Sequence, residues 1–397
     1  MPTKLVLTSL EQLLPVNTQM INSSLLSGHF PKLWKEALVD PRQKKAGISD
    51  FSIFRPVSNL QYISKLTEHA VFDQVHIHLT THDLYPKLQS AYRRGHSTET
   101  ALLKIHNDIL IAMDSQHVVL LVLLDLSAAF DTVGRSVLLS RLRNSFGIRD
   151  TVLRWFGSYL SDRSQRVSLD GKVSDKFQLT HGVPQGSCLG PLLFTLYVSK
   201  LFDIVKGHLL GVHTYADDTQ LYLAFKTDST VNALDAVNAM EPCIRDLRTW
   251  MLHDKLKLND DKTEFILIGT RRHLAKIDGI SLCEGDCNVS PVKSTKNLGT
   301  WIDSNLNLKI NVNNTCKAAY YHLTNVRRIR KDLDEKSSQT LIHALVVGRI
   351  DFYDSILYGL PARELTKLQR LQNSATRIII IISQRCVISH QFCVNCT

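Results

Sequence analysis

Long hydrophobic runs are missing from this 397-residue chain. The longest, VVLLVLL at 118–124 and IIIII at 378–382, fall far short of the roughly 20 apolar residues a membrane helix needs, so no membrane partner is expected. No signal peptide is expected either, because MPTKLVLTSLEQLL breaks into Ser, Glu and Gln before an apolar stretch of sufficient length forms. Cysteine is sparse and scattered, eight residues with no framework spacing, which points to free thiols in a reducing intracellular compartment. Cys386, His390, Cys393 and Cys396 have zinc-knuckle-like spacing. They follow an isoleucine homopolymer at the very end, and an unstructured tail is the expectation for them. No internal repeat appears, and no Gly/Ser- or Pro-rich linker divides the chain. Acidic residues are in deficit: 37 Asp+Glu against 47 Lys+Arg leaves +10, a surplus that favours a polyanionic partner.

What is present describes a packed protein of two or three lobes, with 44% hydrophobic and 21% charged residues. A helix is predicted to start near Ser97, since STETALLKIHNDILIAM puts Leu102, Ile105, Ile109 and Met113 on one face. HVVLLVLLDL is too short and too uniformly apolar for an exposed helix and reads as a strand buried on both faces. Helices are expected around 135–146 and 150–160, then a strand at QRVSLDG. HLLGVHTYADDTQLYLAF reads as strand, tight turn and strand with Ala216-Asp217-Asp218 at the turn. Two helical stretches are expected on either side of Pro242, a strand at KTEFILIG, and mostly helix from about 315. DPRQKKAGISDF is expected to be basic and turn-rich. The middle is α+β and the end α.

The chemistry concentrates in three carboxylates. Asp125 ends the buried apolar strand, where an ionised group is costly unless paired or bound to a cation. Alone it would read as a strand cap. Asp217 and Asp218 stand side by side at a hairpin turn, where like charges repel. If that hairpin pairs beside the Asp125 strand, the three form a site for hard cations that prefer oxygen ligands. Two such ions serve phosphoryl transfer by activating the attacking oxygen and stabilising the leaving one. Spacing and composition reach metal-dependent nucleotidyl or phosphoryl transfer and no further.

The segments LDLSAAFDTV (124–133), GVPQGSCLGPLLF (182–194), YADDTQLY (215–222) and LKLNDDKTEFILIG (256–269) carry more information as an ordered set. In this order and spacing they resemble the palm motifs of reverse transcriptases from non-LTR (LINE-type) retrotransposons. Upstream, FRPVSNLQYISKLTEH and LQSAYRRGHSTETAL are similar to the fingers of that family. Downstream, KNLGTWIDSNL and LTKLQRLQNSATR are similar to its primer-grip and thumb segments. The resemblance implies an α+β right-hand polymerase with fingers, a palm built on an antiparallel sheet and a mostly helical thumb. It implies an N-terminal extension and fingers at 1–115, and a palm at 116–275 with a fingers insertion at 150–182. Primer grip and thumb would follow at 276–380, then a degenerate tail at 381–397.

The same resemblance implies roles. Asp125, Asp217 and Asp218 would hold two Mg²⁺ ions, Mn²⁺ being an acceptable substitute, and Lys262 would protonate the departing pyrophosphate. Arg55 and Lys45 would grip the deoxynucleoside triphosphate, Ala128 and Ala129 would leave room for it, and Phe130 would exclude a ribose 2′-hydroxyl. Gln185 would touch the nascent pair, and Gly182 and Gly186 would let the backbone approach the strands. Leu298, Gly299 and Trp301 would hold the primer end, while Arg327, Arg328, Arg330 and Lys331 would contact phosphates. The implied partners are an RNA template, a DNA primer and deoxynucleoside triphosphates, with a nuclear location and no implied oligomeric state. Gly134-Arg135, Asp254 and Cys188 depart from the usual pattern, as does RIIIIISQRCVISHQFCVNCT, which resembles the end of a truncated or frameshifted copy. The endonuclease that precedes such polymerases has no counterpart in these residues. The alternative expectation is an inactive relic that only binds nucleic acid.

Overall fold

The computed structural model describes residues 3–43, 54–208, 210–227, 230–284 and 287–380, so Lys45 and the Cys386–Cys396 cluster lie outside the described residues. One sheet joins β1 (Glu36–Gln43), β2 (Phe54–Asn59), β4 (Arg163–Leu169), β5 (Lys172–Val173) and β6 (Phe177–Leu179). A second, antiparallel, joins β3 (His117–Leu124), β7 (Gly211–Tyr215), β8 (Asp218–Lys226) and β9 (Glu264–Ile268) in the order β7-β8-β3-β9. Two small hairpins follow, β10 (Leu282–Glu284) with β11 (Cys287–Val289), and β12 (Ser294–Asn297) with β13 (Thr300–Asp303).

The uniform apolarity of β3 has a direct cause, for it is an inner strand with a core on each face. Val118, Leu120 and Val122 join the main core, which includes Phe194, Leu196, Met240 and Leu247. The intervening Val119 and Leu121 meet Ile105 and Ile109 of the Thr98–Asp114 helix, with Ile266, Ile268 and Ile302. That helix begins where predicted. Ser97 Oγ accepts from Thr100 N at 3.2 Å and Thr100 Oγ1 accepts from Ser97 N at 2.8 Å, a reciprocal cap. The helices Arg135–Asn144 and Asp150–Leu160 also match their expected spans.

Two expectations are corrected. Pro242 does not divide two helices; one helix runs from Thr230 to His253 through it. Its apolar face (Ala236, Met240, Cys243, Leu247, Met251) is buried along its length. That burial offsets the roughly 3 kcal/mol an interior proline costs. The DPRQ segment is strand rather than turn: Pro41 sits opposite Pro56 across the β1–β2 ladder. β4 pairs only with Glu36–Val39, so beyond Val39 β1 is an edge on that side and neither proline removes a required donor.

The helices Lys309–Ile329, Glu335–Ile342 and Ala362–Ile379 pack on their own core of Leu323, Val326, Ile342, Leu371 and Ala375. Arg330 corrects another expectation. Its guanidinium donates to the carbonyls of Ile378 (2.8 Å), Leu333 (2.7 Å) and Ile379 (3.1 Å), closing the end of the last helix. Arg327, Arg328 and Lys331 remain exposed. Among the described residues no helix is long and apolar enough to cross a membrane.

Candidate active site

Asp125 follows Leu124, whose Cα partner in β8 is Thr219, so Asp125 stands across from Asp218 at one end of the antiparallel sheet. Asp217 occupies the β7–β8 turn beside them, after Ala216, whose φ is 58°. The sheet thus puts Asp125 at the same end as the Asp217–Asp218 pair, 92 positions further along the chain. Burial pushes the Asp217 carboxyl up and Asp125 adds to this, while Lys262 and Arg55 hold it down. Burial, then Asp217 and Asp125, push Asp218 up to about 6.

The carboxylates do not close on one another. Among the described residues no three His, Cys, Asp or Glu side chains form a group that could hold a metal ion, so the expected three-carboxylate cluster is not drawn together in this geometry. Asp125 has partners of its own: its Oδ2 accepts from Lys262 Nζ at 2.8 Å and from Asn259 Nδ2 at 3.2 Å. The donor set still suits hard cations, being all carboxylate oxygen, and it is burial before neighbouring charge that raises Asp217 and Asp218.

A cleft of about 350 Å³ opens at this end, lined among others by Asp125, Asp218, Lys262, Lys296, Leu298 and Gly299. The β12–β13 turn enters it because Gln220 Nε2, two residues after Asp218, donates to Asn297 Oδ1 at 3.1 Å. Leu298 and Gly299 make that turn with φ of 45° and 94°, and a side chain at Gly299 would come within 3.2 Å of the Phe352 ring. Trp301 N donates to Asn311 Oδ1 at 3.2 Å. A larger cleft, about 850 Å³, lies elsewhere, lined by Lys87, Ser140, Arg141, Asp203 and Asp254 among others, and none of the predicted site residues lines it. The unusual Asp254 is buried there in an ion pair with Arg141.

Phe130 lies stacked on Phe194, centroids 4.8 Å apart. Ala128, exposed and at φ 50°, and Ala129, buried, form the turn before it. Gln185 is turned to Asp131, donating from Nε2 at 2.9 and 2.8 Å to the two carboxylate oxygens. Gly182 and Gly186 are explained by the protein's own backbone. Added Cβ atoms would lie 2.8 Å from Asp131 O and 2.8 Å from Ser58 O, at φ of 80° and 98°. Arg55, exposed on β2, reaches the site electrostatically through Asp217. Asn259 was not singled out from the sequence. It binds Asp125 by side chain and by backbone (N to Asp125 O, 2.9 Å), and its own carbonyl accepts from Lys262 N at 3.0 Å.

Comparison with known proteins agrees with the motif order. Residues 43–302 match the family described as reverse transcriptase (RNA-dependent DNA polymerase). The chain is 27% identical over 373 residues to a probable RNA-directed DNA polymerase from transposon BS of Drosophila melanogaster, covering 90% of this chain and 40% of that protein. It is 26% identical over 385 residues to the RNA-directed DNA polymerase from mobile element jockey of the same organism, covering 93% and 40%. The chain therefore spans about 40% of the length of these relatives. With its ordered motifs, its antiparallel sheet and its mostly helical end, the chain belongs to the reverse transcriptase family, as a right-hand polymerase domain of the non-LTR retrotransposon type.

Proposed function

We propose that this chain extends a DNA primer along an RNA template by nucleotidyl transfer, with the end of the antiparallel sheet as reaction centre. The observation that supports this most is the cleft that Asp125, Asp218 and Lys262 share with the β12–β13 turn. Asp125, Asp217 and Asp218 would hold two divalent cations such as Mg²⁺. When bound, these supply activation of the primer hydroxyl and neutralise the charge of the triphosphate. Lys262, within hydrogen-bond reach of Asp125, would give a proton to the leaving pyrophosphate. Arg55 binds the triphosphate from the β2 side, Phe130 lies under the incoming sugar, and Leu298, Gly299 and Trp301 seat the primer end. In this reading residues 1–115 are an N-terminal extension and fingers, 150–182 a fingers insertion, the rest of 116–275 palm, and 276–380 primer grip and thumb. Catalysis is then positioning plus charge neutralisation.

A second reading, an inactive copy that retains only nucleic-acid binding, has two observations in its favour: Lys262 occupies Asp125, and among the described residues no three-carboxylate group that could hold a metal ion is present. Primer extension on a homopolymer RNA template, with Mg²⁺ or Mn²⁺ and without, separates the two. Asp217→Asn is expected to abolish extension while template–primer affinity is kept or raised, because binding arises from Lys and Arg displacing counterions. Tight binding by the unmutated chain with no incorporation in either metal would establish the second reading.

A further inference from the structure

The Asp217–Asp218 turn is held by a residue far from it in sequence and outside every role described above. The segment Leu88–Ser90 lies along β7 as a strap: Thr214 N donates to Leu88 O at 2.9 Å and Ser90 N to Thr214 O at 3.0 Å, with a parallel bridge between Gln89 and Thr214. The side chain of Gln89, 2% exposed, passes under the turn. Its Oε1 accepts from Ala216 N at 3.0 Å and from Ala91 N at 2.9 Å, and its Nε2 donates to Ala216 O at 3.2 Å. The β7–β8 ladder ends at the pair Tyr215–Asp218, so the buried backbone of Ala216 has no ladder partner. Ala216 also holds φ 58°, a left-handed conformation disfavoured for any residue with a Cβ. A turn of this kind persists only where its surroundings over-determine it. Here one amide satisfies both polar groups of the strained residue that immediately precedes Asp217.

We infer that Gln89 is a positioning residue for metal binding: by bonding both backbone groups of Ala216 it fixes the direction in which Asp217 and Asp218 present their carboxylates. The inference rests on the proposed polymerase reading. A carboxamide suits the task because it offers donor and acceptor together and adds no charge beside Asp217, where a Lys or Glu would alter the field the cations meet. Side chains that orient ligands in this way typically cost 10–100-fold in metal affinity when removed.

The test is Mn²⁺ binding to the full chain with template–primer, read from the loss of the free-ion paramagnetic resonance signal, alongside the Mn²⁺ dependence of extension. Gln89→Met keeps the volume and deletes all three hydrogen bonds. It is expected to weaken Mn²⁺ binding about 10–100-fold and to shift the extension midpoint to match, with template–primer affinity unchanged and thermal unfolding still cooperative. A cooperatively folded Gln89→Met chain that binds Mn²⁺ as tightly as the unmutated chain overturns the inference. Should Gln89→Met not fold, Gln89→Asn keeps a neutral carboxamide but draws it one methylene back from the Ala216 backbone. Weaker Mn²⁺ binding is expected there too, and unchanged binding overturns the inference. If the unmutated chain binds no Mn²⁺, the polymerase reading fails first and takes this inference with it.

Discussion

The two larger sheets of this protein use their residues in opposite ways. β3 of the antiparallel sheet is buried from Val118 to Val122, and its chemistry is confined to the single residue that follows its end, Asp125. In the mixed sheet β1 and β2 are half-exposed, and Arg42 and Arg55 sit opposite each other within the ladder. The first sheet provides rigidity and delivers carboxylates at a fixed depth. The second leaves two arginines at its surface, Arg42 paired with Asp40 and Arg55 exposed. The sheets meet electrostatically where the charge of Arg55 acts on Asp217. Acids at the end of a dry sheet and a base on a wet one is what the proposed triphosphate site requires.

The contrast breaks most visibly in the core. Leu121 is fully buried in β3, whereas Leu38 of β1 is 40% exposed. Leu121→Ala is expected to cost about 2–5 kcal/mol in urea unfolding, and Leu38→Ala no more than about 0.5 kcal/mol. Equal losses would mean that the mixed sheet is as much a stability element as the other.

Next in size is the bridge between the sheets. Arg55→Ala is expected to weaken deoxynucleotide binding by about 1.5–3 kcal/mol, the worth of a hydrogen bond to a charged group, with little change in melting temperature because Arg55 is exposed. Removing its charge also lets the Asp217 carboxyl rise further, so the acid limb of the extension profile should move to higher pH. A variant with unchanged nucleotide affinity would cut Arg55 from the site and leave the two sheets chemically separate.

These differences also explain what a sequence can tell. The buried strand, the helix at Ser97 and the Ala216–Asp218 turn were legible because each leaves a local signature: an apolar run, a cap, a pair of acids between alternating strands. β1 was not legible, since its Pro41 mimics a turn and only its partners β2 and β4 make it a strand. Pro242 misled for the same reason: the buried face that carries the helix through it is a tertiary fact. The contacts that Asn259, Gln220 and Arg330 make across 48 to 134 positions have no local signal at all. Asn259 stands three residues before Lys262 in a motif already singled out, which was the available hint. The motifs identified the family, whereas nothing local in the sequence announces the Lys262–Asp125 contact across 137 positions.

A smaller effect concerns the aromatic at the edge of the dry sheet. Phe130 stacks on Phe194 but is only half-buried. Phe130→Val should therefore cost about 1–2 kcal/mol of stability, below the 3–5 kcal/mol of a full Phe→Ala deletion in a core. If it lies under the incoming sugar, the variant should accept ribonucleotides while deoxynucleotide incorporation survives. A well-folded variant that still rejects ribonucleotides would return Phe130 to the core and remove it from the site.

The smallest expected effect tests whether the acidic end of the dry sheet is a place made for cations. Burial first, and then the facing Asp217 and Asp125, push the Asp218 carboxyl up to about 6 from its ordinary 3.8. The folded chain therefore binds this proton more tightly than the unfolded chain does. Between about pH 4 and 6 the folded state keeps a proton that the unfolded state has released, so stability falls with rising pH across that window and stays low above it. Asp218→Asn cannot ionise and escapes the penalty. At pH 8 it should be more stable than the unmutated chain by on the order of 1 kcal/mol, after allowance for solvent screening, and at pH 4 the advantage should vanish. Mg²⁺ should act in the opposite sense, because an ion that binds only the folded state stabilises it. Melting temperatures at pH 8 should rise with Mg²⁺ in the unmutated chain and rise less in Asp218→Asn. Identical melting temperatures at pH 8 without metal, or an equal Mg²⁺ response in both chains, would show that Asp218 carries no unmet charge, and the acidic end would then be an ordinary sheet terminus.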